Sequence, residues 1–387
     1  MTRSTLQSRN ALRNRGCKSL RSPAFLKAAG LVMGAMLSTG VFPGTAHAVP
    51  PPTATWTGAT DNNWNTTSAD WNVSSPPGGN LYADGDIALF QDVPGHYTVA
   101  VGGPGSATVS PNSVIIDNDS LTGTAAFAAS GGDYIFDGSG SIGGTASLSK
   151  TAGGMLTIEN TTANAFSGAT SVLDGTLDLQ YSTAVLSNLI NSNSILVLSG
   201  ANLAVVGAAN NPASQQFTGT SINPGASTAT VVNGTGTATT ELTLQSIGRT
   251  LGGTLNFVPQ NAGASFSTGE PNLNGIIGGW ATFNGTDWAT NTGTTIGAYS
   301  AYTVNTFGAN NNVEIMGNTS QSGAVNSLKF FEVTADTLTL SAPTVIGSGG
   351  ILVSSALNGV AENINGAGTL AGNTRLCLKT PKTCKLW

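Results

Sequence analysis

The stretch that decides the fold reads Ser147-Leu148-Ser149-Lys150-Thr151-Ala152-Gly153-Gly154-Met155-Leu156-Thr157-Ile158 and, after a turn region, Leu173-Asp174-Gly175-Thr176-Leu177-Asp178-Leu179. Apolar residues alternate with Ser, Thr and Asp, the period of two expected of half-buried strands. The pairs Leu156/Ile158, Leu177/Leu179 and Leu196/Leu198 recur at steps of 21 and 19 residues (177 − 156 and 196 − 177). A period near ~20 with two or three short strands per period is the sequence form of a β-solenoid. The spacing predicts that these six side chains point inward and stack on their counterparts one coil away. Thr, Ser and Asn then face outward, and Gly and Asn take the corners, where positive φ costs them least. A β-sandwich is the competing reading, but its hairpins return every ~8–12 residues and need not repeat. The expectation is an all-β chain: a right-handed parallel β-solenoid over residues 121–373, behind an N-terminal β-rich capping segment at 49–120.

Outside this body the composition changes. Residues 1–48 read as an export signal: seven Lys and Arg in the first 27 residues, an apolar Ala28–Val41 core, Pro43, and Ala46-His47-Ala48 as a cleavage site. The apolar core is shorter than the ~20 residues a spanning helix needs, so no transmembrane segment is expected after cleavage. Residues 374–387 (TRLCLKTPKTCKLW) hold four cations and two of the three cysteines. This aberrant basic tail reads as a shifted or truncated reading frame, with a Cys377–Cys384 disulfide as the alternative. Cys17 falls in the leader.

Charge narrows the function. Between Val49 and Asn373 only Lys150, Arg249 and Lys329 are basic, against all 19 Asp and Glu, a formal charge of −16 (3 − 19). Such a body repels nucleic acid and anionic membrane surfaces and has few groups to hold a phosphate or carboxylate. A neutral glycan or another protein surface is the ligand class left open.

The residues at 145–180 also resemble a known family. Leu148-Ser149-Lys150 through Gly154-Met155-Leu156-Thr157-Ile158, then Asn164-Ala165-Phe166-Ser167-Gly168-Ala169-Thr170, then Gly175-Thr176-Leu177, look like the autotransporter-associated β-strand repeat. That repeat reads L-x-K-x-G-x-G-x-L-x-L, N-x-Y/F-x-G-x-T and G-x-L. Ala152-Gly153-Gly154-Met155 departs from its Gly-x-Gly-x step. Trp56-Thr57-Gly58 to Trp64, Ala69-Asp70-Trp71-Asn72 and Gly85-Asp86-Ile87 to Phe90 resemble the lead-in of exported proteins with these repeats, as does the Trp280–Trp288 block. The resemblance implies the N-terminal part of an autotransporter-like passenger, exported and extracellular or on the outer surface, adhesin-like and without catalysis. The runs of about ten alternating residues that build an outer-membrane barrel are not seen in the sequence, as expected of a chain ending before the C-terminal part.

The competing function is a carbohydrate-active β-helix enzyme, a polysaccharide lyase or glycoside hydrolase. A lyase needs a base such as Arg249, and a hydrolase needs two carboxylates about 5–9.5 Å apart. Asp117/Asp119 and Asp133/Asp137 are the candidate pairs, and an Asx turn is the preferred reading of the first. Lys150 belongs to the repeat. His96, in Pro94-Gly95-His96-Tyr97, reads as a surface turn residue, with no G-x-S-x-G to make it a catalytic base. Trp56, Trp64 and Trp71, and Trp280 with Trp288, read as packing groups rather than sugar platforms. Trp280 and Trp288 are expected to pair across an Asn284-Gly285 hairpin. No catalytic, cofactor-binding or metal-ligating residue is assigned, and no cofactor is expected.

Overall fold

Alternation in the sequence becomes alternation of burial along strands such as Ser147–Lys150 and Ile195–Leu198, whereas Met155–Ile158 and Thr176–Gln180 each bury three residues in a row. The computed structural model describes residues 50–74, 79–119, 132–236, 238–331, 334–357 and 361–372, and the backbone of 377–380 and 383–386. The leader lies outside the described residues. Pro50–Trp387 form one compact unit. The described residues are all-β, with two short 3-10 turns at Gly103–Gly105 and Ser355–Leu357 and no α-helix.

From Ser147 onward the chain visits two sheets in turn. Ser147–Lys150, Thr170–Val172, Ile195–Leu198, Gly219–Ile222 and Ile247–Arg249 enter a nine-stranded first sheet. Met155–Ile158, Thr176–Gln180, Asn202–Val206, Gly225–Val232 and Gly253–Pro259 enter an eleven-stranded second sheet. Successive members of each sheet pair in parallel. A third, short parallel sheet joins Ala213–Gln216, Thr240–Thr243 and Ala264–Ser267.

The register corrects one expectation. Leu156 stands on Leu177 and Ile158 on Leu179, as the period predicts. The next residues in those columns are Leu203 and Val205, 26 residues on (203 − 177), not Leu196 and Leu198. Leu196 and Leu198 stack on Thr170 and Val172 in the first sheet. All six leucine and isoleucine side chains are buried. The reading of inward faces holds and the pairing does not, because the two strands of a coil share one apolar alternation and cannot be told apart by it. Full burial of each such side chain stabilises by ~1.5–3 kcal/mol. Gly175 shows what a corner requires. Its φ is +71°, and a Cβ there would sit 2.2 Å from the Gly154 carbonyl oxygen on the neighbouring strand's turn.

Both sheets also include strands that precede residue 120. Thr53–Trp56, Ile87–Gln91 and Ser113–Asp117 already belong to the first sheet, and Asn63–Trp64, Thr98–Val101 and Tyr134–Asp137 to the second. The first sheet closes with Trp71–Val73 antiparallel to Thr53–Trp56. Trp56, Trp64 and Trp71 are buried at this end of the sheets, with ring centroids of Trp56 and Trp71 5.1 Å apart and of Trp64 and Phe90 5.2 Å apart. The second sheet ends in antiparallel strands Ala281–Phe283, Asp287–Asn291 and Ile296–Ala298.

Beyond this the core is not continuous. Val313, Ile315, Val325, Leu328, Phe330, Leu338, Leu340, Ile346 and Ile351 form a separate cluster. It lies between the parallel strands Asn312–Ile315, Thr319–Phe330 and Thr337–Val353. Ile276, Trp288 and Leu352 make a small third cluster. In the tail, Cys377–Thr380 runs parallel to the Gly350–Leu352 stretch and Thr383–Leu386 turns back against it. Cys377 stands opposite Leu386 and Cys384 opposite Lys379, so the cysteines are not cross-strand partners.

Candidate functional site

The candidate carboxylates occupy outward positions or corners, and stacking gives Asp117, Asp119 and Asp133 partners on the neighbouring coil. Asp117 Oδ1 accepts from the Thr151 hydroxyl at 3.2 Å, and Asp119 Oδ1 from the Gly153 amide at 3.4 Å. The Asx-turn reading is therefore replaced by bonds to a coil more than thirty residues away, brought within reach of a short carboxylate by the parallel stacking. Asp133 Oδ1 likewise accepts from the Met155 amide at 2.8 Å. Asp137 is half-buried, its Oδ1 has no hydrogen-bond partner, and burial raises its pKa.

Both cations of the first stack stand in one column of the first sheet, which runs Phe90, Ile116, Lys150, Val172, Leu198, Ile222, Arg249. Lys150 is 1% exposed. Its ammonium donates to the carbonyls of Asn118 (3.4 Å) and Ala152. Burial pushes it down to about 8, while Asp174, Asp119, Asp133 and Asp117 pull the other way. Arg249 Nε donates to the Gly253 carbonyl at 2.8 Å, and its guanidinium lies 5.9 Å from the centre of the Trp280 ring. Among the described residues no carboxylate forms an ion pair with Arg249. The arrangement packs the arginine against backbone and indole rather than setting it beside an acid.

His96 lies in a turn closed by its own amide to Val93 O at 3.0 Å. Its carbonyl accepts from Trp56 Nε1 at 2.9 Å, and its ring covers Gly58. Trp56, Trp64, Trp71 and Trp288 are buried, and Trp280 is half-buried, so the tryptophans present little face for a sugar ring. Asn284 and Gly285 both have positive φ, as a type I′ turn demands. The residue across from Trp288 is Thr282, not Trp280 as the eight-residue spacing suggested.

Two features escaped the sequence reading. Lys329 is caged: its ammonium is 2.7 Å from Asp287 Oδ1 and 3.5 Å from Glu314 Oε2, and it lies over the rings of Tyr302 (4.4 Å) and Phe331 (4.2 Å). Asp287 is 42 residues from Lys329, so no local pattern announces the pair. Asp178 belongs to the outward alternation yet is 7% exposed, and burial raises its pKa despite the bond from Gln180 Nε2 at 2.8 Å. Asp178 is therefore not a surface residue, although the alternation places it on the outward face. One open groove of about 340 Å³ lies between the turns at 161–163 and 184–187, and every residue lining it is uncharged. Among the described residues no helix is long and apolar enough to cross a membrane.

Comparison with known proteins adds one relationship. Over 227 residues the chain is 30% identical to the adhesin BmaC autotransporter of Brucella suis biovar 1 (strain 1330). The match takes in 54% of this chain but spans only 6% of that relative's length. No family model matches the chain, and no solved structure matches it. The similarity is to an autotransporter adhesin, and the repeat type stays with the resemblance at 145–180.

Proposed function

We propose that this chain is an exported, surface-exposed passenger segment, a right-handed parallel β-solenoid that serves structurally and adhesively rather than catalytically. The observation that carries the reading is the unbroken parallel stacking of short strands in two sheets, joined to the 30% identity with an autotransporter adhesin. The leader directs export, with cleavage after Ala48. The outward surface is the working part: it is rich in Thr, Ser and Asn, strongly acidic overall, and grooved by the uncharged turns at 161–163 and 184–187. A neutral glycan or a protein surface suits it better than a polyanion. The carbohydrate-active alternative is left with the Asp133/Asp137 pair, since Arg249 is engaged by Gly253 and Trp280 and the Asp117/Asp119 carboxylates are engaged by the next coil.

Beads coated with the 50–387 chain test this reading on neutral-glycan arrays and cell monolayers. Retention is expected, with reduction when Ala163→Trp fills the groove. Release of reducing sugars or unsaturated uronates from polysaccharides by the same preparation would overturn the non-catalytic assignment. Absence of retention on every surface would overturn the adhesive one.

A further inference from the structure

Lys329 meets two carboxylates, where an ion pair needs one. The parallel register sets Glu314 directly beside Lys329 on the neighbouring strand. Asp287 arrives from another part of the chain, at the start of the strand that follows the Asn284-Gly285 turn. The Lys329 ammonium is 2.7 Å from Asp287 Oδ1 and 3.5 Å from Glu314 Oε2. Asp287 Oδ2 accepts from the Thr286 hydroxyl at 3.0 Å. The rings of Tyr302 and Phe331 lie against the nitrogen, and the lysine side chain is 4% exposed.

A purely structural ion pair makes poor use of this arrangement. Mutual attraction barely offsets the loss of water around two buried charges, and here the second carboxylate leaves the cluster net negative. Moving a proton from the ammonium to a carboxylate neutralises both partners, which a site shielded from water favours. What then stands in contact is an amine nucleophile and a carboxyl carbon. Asp287 Cγ is at most about 4 Å from Nζ, one carbon–oxygen bond beyond the 2.7 Å contact. Groups held so close react as if present at ~10⁵–10⁸ M, an advantage large enough to favour an amide over the separate groups.

We propose that Lys329 and Asp287 condense to an intramolecular amide, with Glu314 carrying the protons. Glu314 Oε2 takes one proton from Nζ, and the freed lone pair attacks Asp287 Cγ. As the N–C bond forms, Glu314 passes that proton to Asp287 Oδ1. A second Nζ proton follows by the same route, the C–O bond breaks, and water leaves. Nζ keeps its third proton as the amide N–H, Oδ2 stays as the amide carbonyl beside Thr286, and Glu314 ends as the carboxylate it began. No oxidant, nucleotide or metal enters the balance. The bond joins Asp287–Asn291 to Thr319–Phe330 and so fastens the separate core at 313–351 to the antiparallel end of the second sheet. Tension along the chain then passes through the amide and bypasses residues 288–328. The crosslink goes beyond the adhesive reading and does not depend on it.

The scarcity of basic residues makes the test sharp. Between residues 250 and 375 the only sites for trypsin are Lys329 and Arg375. The full chain is purified in its folded form, then denatured, digested and weighed. The amide removes the cut after Lys329, so residues 250–375 are expected as one peptide, lighter than its sequence by one water, with the crosslink at 287 and 329 on fragmentation. Lys329→Arg keeps the cation but not the amine nucleophile, and is expected to restore the full mass. Glu314→Gln is expected to lower the bonded fraction at least tenfold while the circular dichroism stays that of the wild type. An undiminished bonded fraction in folded Glu314→Gln would overturn the proton-carrying role. A folded wild-type chain of full mass, cut after Lys329, would overturn the amide. So would a loss of water that persists in Lys329→Arg, the mark of a cyclic imide elsewhere. The wild-type digest decides the matter even if a variant fails to fold.

Discussion

Lys150→Met removes a cation from the buried column between Ile116 and Val172 while keeping a long, flexible side chain. In the wild type, burial holds the ammonium at about 8, against 10.5 for an open lysine. Below pH 8 both folded and unfolded chains bind the proton, and the burial penalty is present in full. At ~1.36 kcal/mol per pH unit, the gap from 10.5 to about 8 makes that penalty about 3 kcal/mol. Between pH 8 and 10.5 the folded chain releases the proton while the unfolded chain keeps it, so stability rises with pH. Above 10.5 the penalty is gone. Urea unfolding of wild type and Lys150→Met at pH 7 and 9.5 reads this directly. The wild type is expected to gain about 2 kcal/mol on the variant over that interval. Burial raises Tyr82, Tyr134, Tyr181 and Tyr302 above their ordinary range, so those groups affect both proteins alike and cancel in the difference. A stability difference that stays flat from pH 7 to 9.5 would refute the reasoning, because it would mean that the buried amine keeps its proton.

Three further outcomes are expected. Leu177→Asp costs about 4 kcal/mol or more by urea unfolding, since it sets an unpaired carboxylate between Leu156 and Leu203, whereas Thr176→Asp stays within about 1 kcal/mol; equal losses would reject the assigned inward face. Lys329→Ala breaks the cage with Asp287 and Glu314 at a cost of about 3 kcal/mol, and hydrogen exchange should quicken first in the 312–353 strands; uniform loosening of both cores would count against the cage as a local clamp. The chain from 50 to 373, freed of the basic tail, is expected to pass through heparin and polygalacturonate columns at ~0.15 M salt. Calcium-independent retention would contradict the electrostatic argument.

The parts of the fold visible in the sequence were those written in neighbouring residues. Alternation at 155–158 and 176–179 placed Leu156, Ile158, Leu177 and Leu179 in the core, but Thr157 and Asp178, which it put on the outward face, are buried as well. Which strand stacks on which depends on the length of the intervening corners, and that is why Leu203 rather than Leu196 follows Leu177. The tryptophans at 56–71 were legible as packing because three large apolar groups in a short segment must be covered. The pairing of Asp287 with Lys329 was not legible, since it is assembled by tertiary approach of residues whose local sequence is ordinary.

The parallel register has a consequence for how the polypeptide can reach its destination. In the first stack, Leu156, Leu177, Leu203, Ala229 and Phe257 each find their partner one circuit away along the chain, and no strand there waits for a segment hundreds of residues distant. A chain delivered vectorially, as an unfolded thread through a narrow passage, can therefore lay down each circuit on the one before it as soon as some twenty-odd residues emerge. Folding of this stack can then proceed in chain order, circuit by circuit, without waiting for a later segment.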